Sequence, residues 1–313
     1  MIKKKYWGLL LSLVIVLSFV QPLEISKAQN IPPDYIEYDY LTKTERTIPY
    51  DTVRTFVSTS SNLEERASNV RFTPEYTPPG LGQVDQIETH SIIGNDDRVR
   101  VNPNYSPYSR IVALRCGQDK NGDGIADSWS LGTGFMEGPD CLVTAGHCMW
   151  DKTYGWVEEM RAYPKQNSSV YGNTYYYPLS WTCSSEYTSK LNTDYDWCVV
   201  TMHQNLGDSL GWFGKGTGGS LINKSITVSG YPGDRRGYQY SAKGIIRSED
   251  AFTCRYDADT MRGQSGSPVY SSNGIVWAIH TYGLGSINRG NKITNYLYDL
   301  LQEKYVQGIN KWH

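Results

Sequence analysis

The sequence lacks any marked excess of charge of one sign. Its 313 residues include 30 Lys and Arg and 32 Asp and Glu, giving a formal net charge of −2. A general nucleic-acid binder needs a basic face, so this balance argues against nucleic acid as a partner. Charged residues make up only 20% of the chain and aromatic residues 13%, which argues against intrinsic disorder.

Long apolar runs are also missing, apart from one near the N-terminus. Lysines at positions 3–5 precede an apolar run over residues 8–20, and residues 26–28 (Ser-Lys-Ala) offer small residues to a signal peptidase. The run is shorter than a membrane-spanning helix needs. We therefore predict a secretory signal peptide over residues 1–28 and a secreted chain without stable membrane association. An uncleaved membrane anchor is the alternative.

Residues 29–90 have no cysteine, and no glycine before Gly80. They carry ten acidic and five basic side chains, whereas residues 91–313 carry 21 of each. The stretch is rich in Pro, Thr, Ser and Glu, which is typical of a pro-segment or linker rather than of a core-forming domain. We predict a pro-segment over 29–90 and a single domain over 91–313.

Cysteine is scarce, and all six residues lie in the predicted domain. An even number of cysteines in an exported chain favours disulfides, although their pairing cannot be deduced from the sequence. Buried free thiols are the alternative, because a domain of this size can fold without cross-links. The six are Cys116, Cys141, Cys148, Cys183, Cys198 and Cys254.

Short runs of β-branched and aromatic residues recur between turn residues and predict an antiparallel all-β fold, a sandwich or barrel. The predicted strands are Arg110–Leu114, Thr133–Met136, Leu142–Ala145, Trp197–Met202, Ser225–Ser229 and Ile275–His280. At the C-terminus, Ile293, Leu297, Leu300 and Leu301 recur at helical spacing. They predict one amphipathic helix over about residues 291–306.

Three separated motifs carry residues suited to nucleophilic catalysis. His147 lies in TAGHC at 144–148, at the end of an apolar predicted strand. Asp196 precedes the apolar run WCVV, and Ser265 lies between glycines in GQSGSP at 263–268. A serine hydroxyl needs a nearby base, an imidazole can take and return its proton, and a carboxylate orients the imidazole. The order His, Asp, Ser is one of the known arrangements of this triad.

These motifs, together with SIIGNDDR at 91–98, resemble the chymotrypsin-like serine peptidases of bacteria, above all the glutamyl endopeptidases of Bacillus and Staphylococcus. The resemblance covers about residues 91–303. It implies two six-stranded antiparallel barrels, protein or peptide substrates, and catalysis without a cofactor. It also implies that His147 is the general base, that Asp196 orients it, and that Ser265 is the nucleophile. Backbone N–H groups of Gly263 and Ser265 would form the oxyanion hole.

The residue before the nucleophile, Gln264, departs from the animal digestive relatives, which have an aspartate there. That aspartate pairs with the new N-terminal amine upon activation, and an uncharged glutamine cannot form this ion pair. We therefore expect activation by removal of a pro-segment that blocks or misorders the site. The cut is predicted between about Gln86 and Ser91. A cut after His90 would give a mature chain that begins at Ser91, and self-cleavage after Glu88 is a second route if the pocket prefers glutamate.

The resemblance also implies a substrate preference. His280 and Thr260 match positions that receive the glutamate side chain of the substrate in glutamyl endopeptidases, and a hydrogen-bonding imidazole with a hydroxyl suits a carboxylate. A rival prediction comes from Asp259, which lies where trypsin-like enzymes bind Arg or Lys. We rank glutamate first because His280 and Thr260 occur together.

Two functions from other classes are the alternatives. A secreted binding protein of this fold without turnover would not need an intact triad. An esterase would normally carry a Gly-x-Ser-x-Gly elbow between a strand and a helix, and residues 263–267 lack the final glycine. A peptidase is therefore favoured over both.

A separate motif over residues 119–127 has the spacing of an EF-hand-type calcium loop, with Asp119, Asn121, Asp123 and Asp127 as candidate ligands. The bidentate glutamate of a full loop is absent, and no flanking helix pair is evident. A polar hairpin turn is the alternative. A Ca²⁺ ion bound here would be structural.

Overall fold

Antiparallel strands make up most of the computed structural model, which describes residues 32–60, 70–79, 96–283 and 287–313. The predicted signal peptide and the predicted maturation site lie outside these residues. Pro32–His313 form one compact unit. Within the described ranges, no helix is both long enough and apolar enough to cross a membrane.

Eight strands form the first sheet: β1 (Tyr35–Asp39), β2 (Thr44–Ile48), β5 (Ile111–Gln118), β6 (Ser128–Met136), β7 (Cys141–Thr144), β10 (Glu159–Pro164), β11 (Pro178–Ser184) and β12 (Cys198–Met202). They pair antiparallel in the order β10-β5-β6-β7-β12-β11-β1-β2. Strands β7 and β12 are buried almost throughout, because their Val, Leu and Cys side chains pack on both faces. They are neighbours, which brings the residues at their ends together.

A second sheet contains β3 (Arg71–Thr73), β13 (Gly214–Thr217), β14 (Ser225–Gly230), β15 (Tyr240–Glu249), β16 (Thr253–Tyr256), β17 (Pro268–Tyr270), β18 (Ile275–Gly283) and β19 (Asn288–Lys292). Its order is β17-β14-β15-β16-β19-β18-β13-β3, and β17 also pairs with β18. Six antiparallel strands, β14 to β19, thus close into a barrel. Three short strands complete the inventory: β4 (Val99–Arg100) pairs with β15, and β8 (Trp150–Asp151) pairs with β9 (Gly155–Trp156).

Helices are few, and most are short. They are α1 (Tyr50–Ser60), α2 (Gly146–Met149), α3 (Ser185–Lys190), α4 (Gly207–Leu210) and α5 (Asn295–Trp312). Helix α5 is capped by Thr294, whose Oγ1 accepts from Leu297 N at 3.4 Å. It confirms the predicted C-terminal helix but begins four residues later than predicted, because Asn291 and Lys292 pair with β16 and β18 as part of β19.

The all-β fold class is confirmed, and each of the six predicted strands overlaps a strand of the structure. The sequence predicted that the N-terminal stretch contributes nothing to a core, and the structure differs from this prediction. Strands β1 and β2 extend the first sheet, β3 extends the second, and the side chains of Tyr35 and Val53 are fully buried. The average composition of this stretch is polar, but a few of its apolar residues lie at the spacing that packing requires.

The predicted disulfides are not present in the structure, in which all six cysteines are buried free thiols. The alternative left open by the sequence, a domain large enough to fold without cross-links, therefore describes the structure. Two of the thiols lie on neighbouring strands of the first sheet, where Cys183 on β11 pairs with Cys198 on β12. Burial raises the pKa of the Cys198 thiol well above its usual range, which disfavours the reactive thiolate.

Candidate active site

The ends of strands β7 and β12 bring His147 and Asp196 together. His147 lies in α2, directly after β7, and Asp196 directly follows a 3₁₀ turn and lies two residues before β12. Asp196 Oδ1 accepts from His147 N at 2.7 Å, and Asp196 Oδ2 lies 2.7 Å from His147 Nδ1. An ionised carboxylate only accepts, so Nδ1 donates and Nε2 is left to act as a base.

The burial of these two side chains is unequal. Asp196 is fully buried, whereas 30% of the His147 side chain remains exposed. Burial pushes the pKa of Asp196 up, but the charge and hydrogen bonds of His147 outweigh it, so the net pKa is lowered. Burial likewise pushes the pKa of His147 down, and Asp196 outweighs it, so the net pKa is raised. The pair therefore holds an ionised carboxylate behind an accessible imidazole.

Ser265 lies on a tight loop before β17, and this loop is tied to the first sheet. Thr133 N donates to Ser265 O at 2.9 Å, and Thr133 Oγ1 donates to Gly263 O at 2.8 Å. Gly266 has a φ of +89°, and a Cβ there would lie 2.0 Å from Thr133 O, so only glycine fits. The nucleophile predicted from the sequence is thus held against β6 by backbone contacts.

The loop lies beside the imidazole. Cys148, the residue after His147, has its Sγ 3.8 Å from Ser265 O. Within the described part of the chain, no hydrogen bond joins Ser265 Oγ to the His147 ring. Catalytic hydrogen bonds are often long before substrate binds. Also within this part, Gly263 N and Ser265 N donate no hydrogen bond, and these are the two donors that the resemblance assigns to an oxyanion hole.

Of the two predicted specificity residues, His280 lies on β18 of the closed barrel, and Thr260 lies just after β16. His280 on β18 is buried, and its Nδ1 lies 2.7 Å from the hydroxyl of Tyr256 on β16. Burial, with a smaller contribution from His147, lowers the pKa of His280 to about 3, so the imidazole is neutral. Thr260 follows β16 and is partly buried.

The rival specificity residue, Asp259, is engaged by the chain near the predicted mature start. Its Oδ2 accepts from Asp97 N at 3.1 Å. Burial, followed by the Asp259 charge, raises the pKa of the Asp97 carboxyl to about 6. Gln264, which stands where digestive relatives have an aspartate, is buried, and its Oε1 accepts from Met261 N at 2.9 Å. The Gln264 side chain therefore stabilises its own loop through this hydrogen bond.

One residue of the site was not predicted from the sequence. The Tyr282 ring centroid lies 5.4 Å from that of His147, at an interplanar angle of 31°. The Tyr282 side chain also helps to lower the pKa of the Asp196 carboxyl. Its place two residues after His280 gave no dependable signal, because the strand register shifts between these two residues and interrupts the alternation of side chains.

The candidate calcium loop has its carboxylates engaged with its own backbone. Asp119 accepts from Gly122 N and Gly124 N, both at 2.7 Å, and these bonds lower its pKa. Within the described ranges, no group of three or more His, Cys, Asp or Glu side chains is arranged to hold a metal ion. A calcium site here stays a prediction, which thermal melts with calcium and with chelator, on wild type and Asp123→Ala, would test.

Comparisons with known proteins show what this chain is similar to. A family model described as Trypsin matches residues 118–298. The glutamyl endopeptidase of Bacillus licheniformis is 29% identical to this chain, covering 94% of this chain and 95% of that protein. An extracellular metalloprotease of Bacillus subtilis is 33% identical, covering 70% of this chain and 71% of that protein.

Among solved structures, that of a Glu endopeptidase in complex with MPD is similar to this chain. The TM-score is 0.60 at 26% identity, and the match covers 69% of this chain and 100% of the other. The stretch that matches the Trypsin family model contains residues 147, 196 and 265.

Proposed function

Because the chain belongs to the trypsin family of serine endopeptidases, we propose that His147, Asp196 and Ser265 are its catalytic triad and that it cleaves after glutamate. The observation that carries the triad is the buried Asp196 carboxylate, 2.7 Å from His147 Nδ1, beside the loop that holds Ser265. The name of the Bacillus licheniformis relative supports the preference for glutamate.

The residues of the triad and the oxyanion hole act in successive steps of the proposed reaction. Ser265 Oγ attacks the scissile carbonyl carbon while His147 Nε2 takes its proton, and the carbonyl oxygen becomes an oxyanion. The N–H groups of Gly263 and Ser265 stabilise this oxyanion. His147 then returns the proton to the leaving amine, which gives an acyl-enzyme. Water, activated by the same imidazole, hydrolyses the acyl-enzyme and releases Ser265.

The contact between His280 and Tyr256 supports the preference for glutamate. A neutral imidazole carries one proton, and a Tyr256 hydroxyl that donates to Nδ1 leaves this proton on Nε2. Nε2–H can then donate to a substrate carboxylate, with the Thr260 hydroxyl as a second donor. A carboxylate bound there would favour the protonated imidazole, so the pKa of His280 would rise upon binding.

The rival preference for Arg or Lys depends on Asp259. That carboxylate already accepts from Asp97 N. A lysine or arginine side chain would need to displace or share this contact. We therefore keep glutamate as the proposed preference, with cleavage after Arg or Lys as the outcome that would favour Asp259.

We further propose that the enzyme is secreted as a precursor and cut between Gln86 and Ser91. Arg98 supports this region as the start of the mature chain, because its side chain is buried and bonds to Asp96 and Asp234 at 2.7 to 3.0 Å. These contacts anchor the first described residues of the predicted mature chain. N-terminal sequencing of the secreted enzyme tests the cut, and a start well beyond Arg98 would contradict it.

The test of activity and preference is a digest of a protein mixture with mature enzyme, in which every cleaved bond is identified by mass spectrometry. We expect cleavage mainly after glutamate and, less often, aspartate. Ser265→Ala enzyme, prepared identically, is the control and should cleave nothing. Cleavage mainly after Arg or Lys would overturn the preference, and near wild-type turnover by the control would overturn the triad.

A further inference from the structure

The described residues 32–60 and 70–79, which we call the N-terminal segment, contribute to the core of the peptidase domain. Tyr35 is fully buried, and its ring stacks on Tyr296 of α5 with 4.5 Å between centroids and 3° between planes. The Tyr35 hydroxyl also donates to Tyr296 O at 2.8 Å. Val53 of α1 is fully buried as well. Removing the segment would open the core along α5.

Backbone contacts hold the segment at two sheets. Strand β1 pairs with β11 over five residues, and β3 pairs with β13. The domain also has glycines where the segment backbone approaches. A Cβ on Gly211 would lie 2.5 Å from Tyr76 O, and a Cβ on Gly214 would lie 2.2 Å from Thr73 O. The domain surface is therefore complementary in shape to the segment backbone at these two glycines.

One buried charge of the domain depends on the segment for its partners. Arg110 is fully buried, with 0% of its surface accessible. Its guanidinium bonds to Glu75 and to Thr77 Oγ1, both in the segment, and to Ser106 Oγ at 3.0 Å. Loss of the segment would leave Ser106 as the only one of these partners. Release of the segment would therefore break two hydrogen bonds to a charged group, which opposes its dissociation.

Two further charges on α5 face the segment in the same way. Asp299 accepts from Arg71 at 2.7 Å and from the Tyr50 hydroxyl at 3.2 Å. Lys304 donates to Glu37 at 2.7 Å, and both side chains are only 9% exposed. All of these partners belong to the segment, so its release would leave both charges of α5 without them.

The segment does not occupy the proposed active site. Within the described residues, no hydrogen bond, ion pair or ring contact joins it to His147, Asp196, Ser265, Thr260 or His280. Its contacts are with α5, β11, β13 and the loops beside them, and also with Trp156 of β9 and with Glu158. A segment that stayed in place would therefore leave the catalytic residues accessible.

We propose that a cut between residues 80 and 95 leaves the N-terminal segment bound to the domain, so that the processed enzyme is two chains held by this interface. The proposal depends on the proposed function only for the place of the cut. The similar Glu endopeptidase structure is fully covered by 69% of this chain, so a related fold stands without a matching segment. Release of the segment is therefore the alternative to be tested.

The test uses the full precursor with Ser265→Ala, so that its result does not depend on activity or on substrate preference. The recognition sequence of a site-specific protease replaces residues 82–88, and the purified protein is cut to completion. Native size-exclusion chromatography should then give one peak, which a denaturing gel resolves into two chains. Separation of the chains, whether or not the larger one remains folded, would overturn the proposal.

A matched pair of arginine variants tests whether these specific contacts hold the segment. Arg71 bonds to Asp299, whereas Arg54 of α1 is exposed and forms no ion pair among the described residues. After cutting and dilution, a labelled segment should dissociate about tenfold faster with Arg71→Ala than with wild type. Arg54→Ala should match wild type. Equal rates for both variants would contradict the proposed interface.

Discussion

Two buried carboxylates in this protein lie equally close to a basic side chain, yet their pKa values move in opposite directions. Asp196 Oδ2 is 2.7 Å from His147 Nδ1, and Glu137 Oε1 is 2.8 Å from Lys215 Nζ. Burial is the largest influence on both. The pKa of Asp196 is nevertheless lowered, whereas that of Glu137 is raised to about 7.

The number of donors explains the difference. Asp196 accepts from His147 through both oxygens, and the Tyr282 side chain also favours the ionised carboxylate. Glu137 accepts from Lys215 through Oε1, and its buried Oε2 has no partner. A buried carboxylate therefore stays ionised when each oxygen has a donor, and a single nearby cation is not sufficient. In the cleft this keeps a charge available to the proposed base.

The strongest test of the comparison removes the charge at Asp196 while keeping its size. In Asp196→Asn, the amide can donate to His147 Nδ1, which places the imidazole proton on Nε2 and removes the base. We expect kcat/KM on a peptide substrate to fall about 10⁴-fold with the fold retained. Asp194→Asn is the control, since Asp194 pairs with Arg289 and should change kcat/KM little. A fall of less than tenfold at Asp196 would exclude it from the triad.

The second test concerns Glu137 and the pH dependence of stability. A carboxyl whose pKa rises upon folding stabilises the folded state below its unfolded pKa, 4.5, and this stability is lost as pH rises to about 7. The free energy of unfolding of wild type should therefore fall, relative to Glu137→Gln, by about 3 kcal/mol between pH 4.5 and pH 7.

Asp196 should behave in the opposite sense, because its lowered pKa gives stability that is lost only as pH falls below the ordinary value of 3.8. Denaturant unfolding of wild type and Glu137→Gln at several pH values makes the measurement. Glu158→Gln, at a more exposed carboxylate paired with Lys43, is the control. Parallel pH curves for wild type and Glu137→Gln would show that Glu137 remains ionised throughout.

The same contrast shows what a sequence can predict. His147 and Ser265 lie in short motifs whose small residues are needed locally, so the pattern identifies them. Glu137 and Lys215 are 78 positions apart and neither lies in a motif, so their buried pairing depends on the packed fold. Contacts of this kind were not predicted.

The N-terminal segment was misjudged for a related reason. Its average composition is polar, yet Tyr35 and Val53 are fully buried. Strands such as β15 and β19 were missed because charged and polar residues interrupt them, including Lys243 and Asn291. Their strand conformation comes from pairing with neighbours rather than from local propensity.

The smallest expected effect comes from the Tyr282 hydroxyl, which favours the ionised form of Asp196. Tyr282→Phe keeps the ring beside His147 and removes only the hydroxyl, so we expect kcat to fall by roughly threefold to tenfold. Asp196 would then interact more strongly with His147, whose pKa is already raised. The acid limb of the pH profile of kcat/KM should therefore move to higher pH, which a merely structural role would not cause.

Tyr187→Phe, near the same carboxylate, should leave the profile in place. An unchanged profile in Tyr282→Phe would mean that the two donors from His147 suffice to keep Asp196 ionised.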